Sequence, residues 1–141
     1  MDCIFCDIIY KKAKAEVLFE NESVISFLDI RPVNYGHALV IPKNHYIDFL
    51  SIPQIELNEI IAVTQKVSSA IYNSIKPDGL NVITNNGQAA GQSVFHFHFH
   101  IIPRFYKDSF TFKPILKDYE KDSIKEFAEI IRSEIKLERV K

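Results

Sequence analysis

Cysteine is scarce in this 141-residue chain: there are two, both inside Cys3-Ile4-Phe5-Cys6. That excludes the disulfide framework of a small secreted protein, which needs several spaced pairs. Neither sign of charge is in excess. Seventeen basic side chains face eighteen acidic ones, for a formal net charge of −1, so bulk attraction to nucleic acid or to an anionic membrane is not expected. No apolar run approaches the ~20 residues that a membrane-crossing helix needs. The first residues, Met1 to Cys6, lack the basic flank and long apolar segment of a signal peptide. Repeats, low-complexity tracts and flexible linkers are missing too. The expectation is a cytoplasmic, single-domain protein over residues 1–141, with neither membrane nor nucleic acid among its partners. With 47% hydrophobic and 25% charged residues, such a chain buries a core without staples.

What is present reads as an α+β pattern. Residues 2–10 predict a short helix carrying Ile4, Phe5, Ile8 and Ile9. Val17–Glu20 and Val24–Asp29 predict two strands joined at Asn21-Glu22-Ser23, and His37–Pro42 a third, well-buried strand after a connection from Pro32 to Gly36. Ser51 with Gln54 has the form of a capping box. Beyond it Leu57, Ile60, Ile61, Thr64, Val67 and Ile71 recur at helical spacing until Pro77 and Gly79 end the helix. Leu80–Asn85 predicts a fourth strand, Asn86–Gly91 a polar loop, and residues 96–102 the fifth strand. A final helix over about 122–136 places Ile124, Phe127, Ile131 and Ile135 on one face. The predicted fold is a five-stranded, mainly antiparallel sheet with one long helix and a C-terminal helix, the helices packed on one side.

Histidine is also scarce, yet three of the five lie in His96-Phe97-His98-Phe99-His100. In a strand, residues i, i+2 and i+4 share a face. The three imidazoles then point one way and Phe97 and Phe99 the other. Buried polar rings without partners cost roughly 1–3 kcal/mol each, so this face implies chemistry. Two readings stand side by side. Alternate histidines can chelate a hydrolytic metal with an open position. Alternatively, one imidazole attacks phosphorus while its neighbours hold phosphate oxygens. The loop Asn85-Asn86-Gly87-Gln88-Ala89-Ala90-Gly91-Gln92-Ser93 favours the second, since glycines, amides and a hydroxyl suit an anion.

His96-Phe97-His98-Phe99-His100-Ile101-Ile102 resembles the signature of the histidine triad (HIT) family of nucleotide hydrolases and transferases. Phe27-Leu28-Asp29-Ile30, His37-Ala38-Leu39-Val40-Ile41-Pro42-Lys43, Asn85 before Gly87, and Gly91-Gln92-Ser93 arrive in the family's order. The likeness covers about residues 3–105; the extension after 106 carries no such mark. The resemblance implies the HIT-like fold and a nucleotidyl-histidine mechanism with His98 as nucleophile. It further implies that His100, His37, Ser93 and Gln92 act around the phosphate, and that Asn85 bonds phosphate or ribose. Asp29 would bind the ribose hydroxyls, and Phe5, Ile8, Phe27 and Ile30 would line the base pocket. These apolar residues are equally suited to plain core, Asp29 to starting a turn, Ser93 and Gln92 to ordinary loop positions, and Arg104 either to a distal phosphate or to solvent.

Cys3 and Cys6 have zinc-thiolate spacing, and no strand precedes them as a thioredoxin-type redox pair requires. The zinc-bearing branch of the family implies a structural, closed site of Cys3, Cys6, His45 and His96; inert thiols are the alternative. No organic cofactor is expected. The implied activity is a phosphoramidase-like hydrolase that releases a purine nucleoside 5′-phosphate. A dinucleoside polyphosphate hydrolase, a nucleotide-binding adaptor and a hydrolase with zinc at the triad are the alternatives. The resemblance also implies a homodimer.

Overall fold

The computed structural model describes residues 2–138, and side chains through residue 135. The chain divides into two compact units, one running to Phe110 and the other starting at Thr111.

The first unit is a five-stranded antiparallel sheet in the order β1-β2-β3-β5-β4, formed by β1 (Val17–Glu20), β2 (Val24–Leu28), β3 (Ala38–Pro42), β4 (Gly79–Ile83) and β5 (Phe99–Arg104). Asn21 sets the first hairpin: its Oδ1 accepts from the backbone N–H groups of Ser23 at 2.9 Å and Val24 at 2.8 Å, the local bond that makes asparagine a turn residue. In β2 and β3 both faces are buried, and alternate residues enter different cores. Val24, Ala38 and Val40 join Phe97, Ile101 and the Ile60, Val63, Val67 and Ile71 stripe of α2 (Gln54–Ile75). Ile25, Phe27, Leu39 and Ile41 face Cys3, Phe5 and Ile8 of the α1 region (α1, Ile4–Ile9). The two helices therefore cover opposite faces, not one side. The short N-terminal helix carries enough apolar surface to close a second layer.

Two further expectations are corrected. The Ser51–Gln54 capping box does not form. Ser51 Oγ instead donates to the Asp48 carbonyl at 3.1 Å, and Pro53 is the N-cap of α2 with no side-chain bond. Nor does the last strand span 96–102. It begins at Phe99, because the Phe97 N–H donates to the carbonyl of Tyr46 at 2.6 Å, outside any strand.

The second unit is an irregular run followed by α3 (Ser123–Glu138). Within it the rings of Tyr119 and Phe127 meet at 6.0 Å, while Ile124, Phe127, Ile131 and Ile135 remain half exposed. Among the described residues, no helix is long and apolar enough to cross a membrane.

Candidate active site and metal centre

The alternation in residues 96–100 survives although only its last two residues are strand. Phe97 packs into the α2-side core with Phe99 against it. The imidazoles lie on the other side, where Phe5 touches His96 and His98 edge-on, with centroids 5.9 and 5.1 Å apart. Each ring there has identifiable partners, and these divide the histidines into two groups.

The first group is Cys3, Cys6, His45 and His96, whose ligating atoms all lie within 4.8 Å of one another. Cys3 Sγ is 3.5 Å from His96 Nδ1, Cys6 Sγ is 3.4 Å from His45 Nδ1 and 3.6 Å from His96 Nδ1, and the two Nδ1 atoms are 3.1 Å apart. A tetrahedral zinc with bonds of about 2.0–2.1 Å to nitrogen and about 2.3 Å to sulfur separates N from S by roughly 3.5 Å. The set matches that edge length. His96 Nε2–H donates to the Pro42 carbonyl at 2.8 Å, so the Nδ1 lone pair turned toward the sulfurs is free to ligate. Burial, reinforced by the Cys3 thiol, pushes the Cys6 thiol up to about 11, so only a cation would hold it as thiolate near neutrality. Four protein ligands would leave no open position, so the donor set is that of a structural rather than a hydrolytic zinc site.

The second group is His37, His98 and His100 with Asp29. His98 Nδ1–H donates to the His96 carbonyl at 2.7 Å, which leaves the Nε2 lone pair bare. The Val33 N–H donates to His37 Nδ1 at 3.1 Å, so His37 carries its proton on Nε2 and passes it as a hydrogen bond to His100 Nδ1 at 2.9 Å. His100 must then hold its own proton on Nε2. Burial is the main cause that lowers the pKa of each ring. His100 sits at about 4, with the His98 and His37 rings adding to the effect. For His37 and His98 burial again dominates, partly opposed at His37 by Asp29 and at His98 by its bond to the His96 carbonyl and then by Asp29. All three are neutral near pH 7. A bare nucleophilic nitrogen on His98 thus stands beside a donor on His100, with ring centroids 4.8 Å apart.

Asp29, His37 and His100 also bring their donor atoms within 4.8 Å. The Val33 bond nevertheless keeps a proton on His37 Nε2 and so occupies the atom a metal would need. This distinguishes the two groups chemically.

The remaining candidates are less concentrated. Asp29 divides its carboxylate: Oδ1 accepts from the Arg31 N–H at 2.8 Å, forming the turn, while Oδ2 lies 3.7 Å from His37 Nε2. Gln92 is buried and fully engaged by the loop, accepting from the Gly87 N–H at 2.8 Å and donating to the carbonyls of Ile47 at 2.7 Å and Val94 at 3.2 Å. Its amide braces the loop around Gly91, whose φ of +93° suits glycine. Ser93 is exposed, with no protein hydrogen bond to its hydroxyl among the described residues, and Asn85 is half-buried beside Gly91. Phe5, Ile8 and Phe27 are core residues of the α1 layer, whereas Ile30 is 88% exposed.

Arg104 is not a freely solvated side chain, because its guanidinium is engaged by protein groups. It donates to both Asp108 oxygens at 2.8 and 3.0 Å, to Asn81 Oδ1 at 2.7 Å and to the Phe110 carbonyl at 2.7 Å. Sequence reading missed two participants: the Val33 N–H and the Pro42 carbonyl. Both are backbone groups without any residue-type signal.

Comparison with known proteins agrees with this geometry. The HIT domain family matches residues 10–107. A HIT family member of Bacillus subtilis of known crystal structure is 38% identical, with a TM-score of 0.89 over 94% of this chain and 96% of that one. A zinc-bound histidine triad protein of Mycobacterium smegmatis is 38% identical, with a TM-score of 0.74 over 83% and 85% of the two chains. The adenylylsulfatase HINT3 of Arabidopsis thaliana is 34% identical over 130 residues, which are 92% of this chain and 66% of that protein. This chain belongs to the HIT domain family.

Proposed function

We propose that the protein is a nucleotidyl hydrolase that releases a nucleoside 5′-monophosphate, with a purine as the base, through a covalent intermediate on His98. The observation that carries this reading is the 2.7 Å bond from His98 Nδ1 to the His96 carbonyl, which directs the free electron pair to Nε2. In the first step Nε2 attacks the α-phosphorus, a P–N bond forms, and the bond from phosphorus to the leaving group breaks. The leaving group departs with the bonding electron pair and takes a proton from solvent. Water then attacks phosphorus, the P–N bond breaks with its electron pair returning to His98, and the proton goes to solvent. The His100 Nε2–H stabilises the negative oxygens that develop in both steps. The Gly87–Gly91 loop, with Ser93 and Asn85, contacts phosphate; Asp29 Oδ2 accepts from ribose; Ile30 flanks the base beside the Phe5, Ile8 and Phe27 layer.

Cys3, Cys6, His45 and His96 hold a structural zinc, which, when bound, stabilises paired thiolates. His96 links that centre to the nucleophile, since its ring ligates and its carbonyl orients His98. We also propose a homodimer, supported by the edge strand β4 with its exposed Val82, which lines one cavity with Ile61, Thr64 and Ser68, and by the buried hydroxyls of those last two residues, which have no hydrogen-bond partner among the described residues.

Adenosine 5′-phosphoramidate, diadenosine tetraphosphate and adenylyl sulfate test the activity, with AMP as product and His98→Ala as control. Turnover of any one, abolished in the variant, supports the mechanism, and the preferred substrate identifies the leaving group. No turnover favours a nucleotide-binding adaptor, and an active variant overturns the assignment of His98 as nucleophile.

A further inference from the structure

The connection between β2 and β3 carries the Val33 N–H on which the His37 and His100 tautomers depend, and it has few anchors of its own. The His37 N–H donates to the Asn34 carbonyl at 3.0 Å. Asn34 in turn reaches away from the site. Its Nδ2 donates to the Pro103 carbonyl at 2.8 Å and to Asp108 Oδ2 at 2.9 Å. Asp108 is nearly buried, with its side chain 5% exposed. It is held by the Arg104 fork and by the Phe105 N–H at 3.0 Å, and the Arg104 guanidinium lies 4.6 Å from the Phe110 ring centre. A planar guanidinium bound to both carboxylate oxygens has little rotational freedom. The carboxylate is therefore a fixed post, and Asn34 ties the connection to it.

Resting on the reading of His98 and His100 given above, we infer that Asn34, held by Asp108 in the Arg104 clamp, is a positioning residue that sets the hydrogen placement on His37 and His100. The chain of bonds is continuous. Arg104 fixes Asp108, Asp108 fixes Asn34, and Asn34 fixes the turn in which Val33 N–H meets His37 Nδ1. That meeting places the His37 proton on Nε2, which occupies His100 Nδ1 and leaves the His100 proton on Nε2 for phosphate. Without the tie, His37 can carry its proton on Nδ1 instead. His100 then loses the donor that selects its tautomer, and a fraction of molecules present a lone pair to the anion.

Ring-nitrogen NMR of the full-length, histidine-labelled protein reads the tautomers directly, because protonated and bare imidazole nitrogens resonate far apart. In the wild-type chain His37 and His100 are expected as single Nε2–H forms. In Asn34→Ala both are expected to become mixtures, kcat to fall about tenfold, and KM to change less than twofold. Asp108→Asn keeps an oxygen that can accept from Asn34 and is expected to retain the wild-type tautomers to a greater degree than Asp108→Ala. Unchanged His96 and His98 spectra show that the fold persists. Single Nε2–H forms at His37 and His100 in Asn34→Ala, or tautomers there indifferent to Asp108, would overturn the inference. The spectra need no substrate, so they decide the positioning role even if the protein hydrolyses none of the three nucleotides.

Discussion

At His98 and His100 the position of one hydrogen separates a nucleophile from a donor. Both rings are neutral near pH 7, and burial is the largest reason. Replacing His100 with Ala removes the donor proposed for the phosphate oxygens. A fall in kcat of about 10²- to 10³-fold is expected, comparable to the loss of one oxyanion donor, and steady-state kinetics on the preferred substrate checks it. The same burial has a consequence for stability. The unfolded chain binds a proton at His100 near the usual ~6.5, whereas the folded chain holds it off until about 4. Below 6.5 the unfolded state therefore takes up more protons, and stability declines as pH falls through that window. Melting temperature is expected to drop between about pH 7 and about pH 4.5, less steeply in His100→Gln; equal slopes would contradict the assignment.

Among the elements, the parts legible in the sequence are those fixed by local periodicity. β1 coincides with its predicted span, and the α2 stripe from Ile60 to Ile71 is the stripe that packs. The alternation of His and Phe correctly divided residues 96–100 between two sides of the sheet even where strand pairing fails. What the sequence concealed depends on distant partners. The start of β5 is decided by the Tyr46 carbonyl. Ser51 is claimed by Asp48 rather than by α2, and Arg104 by a carboxylate four residues on. That Cys3, Cys6, His45 and His96 cluster was legible only through family likeness, because they meet across three segments. Gly36 offers a test of the β2–β3 connection. Its φ is +95°, and a Cβ there would collide with Cδ1 of Ile75. Gly36→Ala is expected to cost about 1–3 kcal/mol, measured by urea unfolding.

For the whole molecule, the closed donor set predicts about one zinc per chain by elemental analysis, lost in Cys3→Ser. Chelation is expected to lower the melting temperature while AMP formation continues at temperatures where the chain stays folded; immediate loss of all turnover would point to a hydrolytic metal instead. Size-exclusion chromatography with light scattering is expected to give twice the 16.3 kDa chain mass. The alternation of residues 96–100 also constrains how this protein can change over descent. Substitutions exchange one ring for another, but an insertion or deletion of a single residue between Gln92 and Phe99 would turn the stretch half a turn. The imidazoles would then enter the α2 core while both phenylalanines took their place beside Phe5. In this segment length is a stricter inheritance than composition.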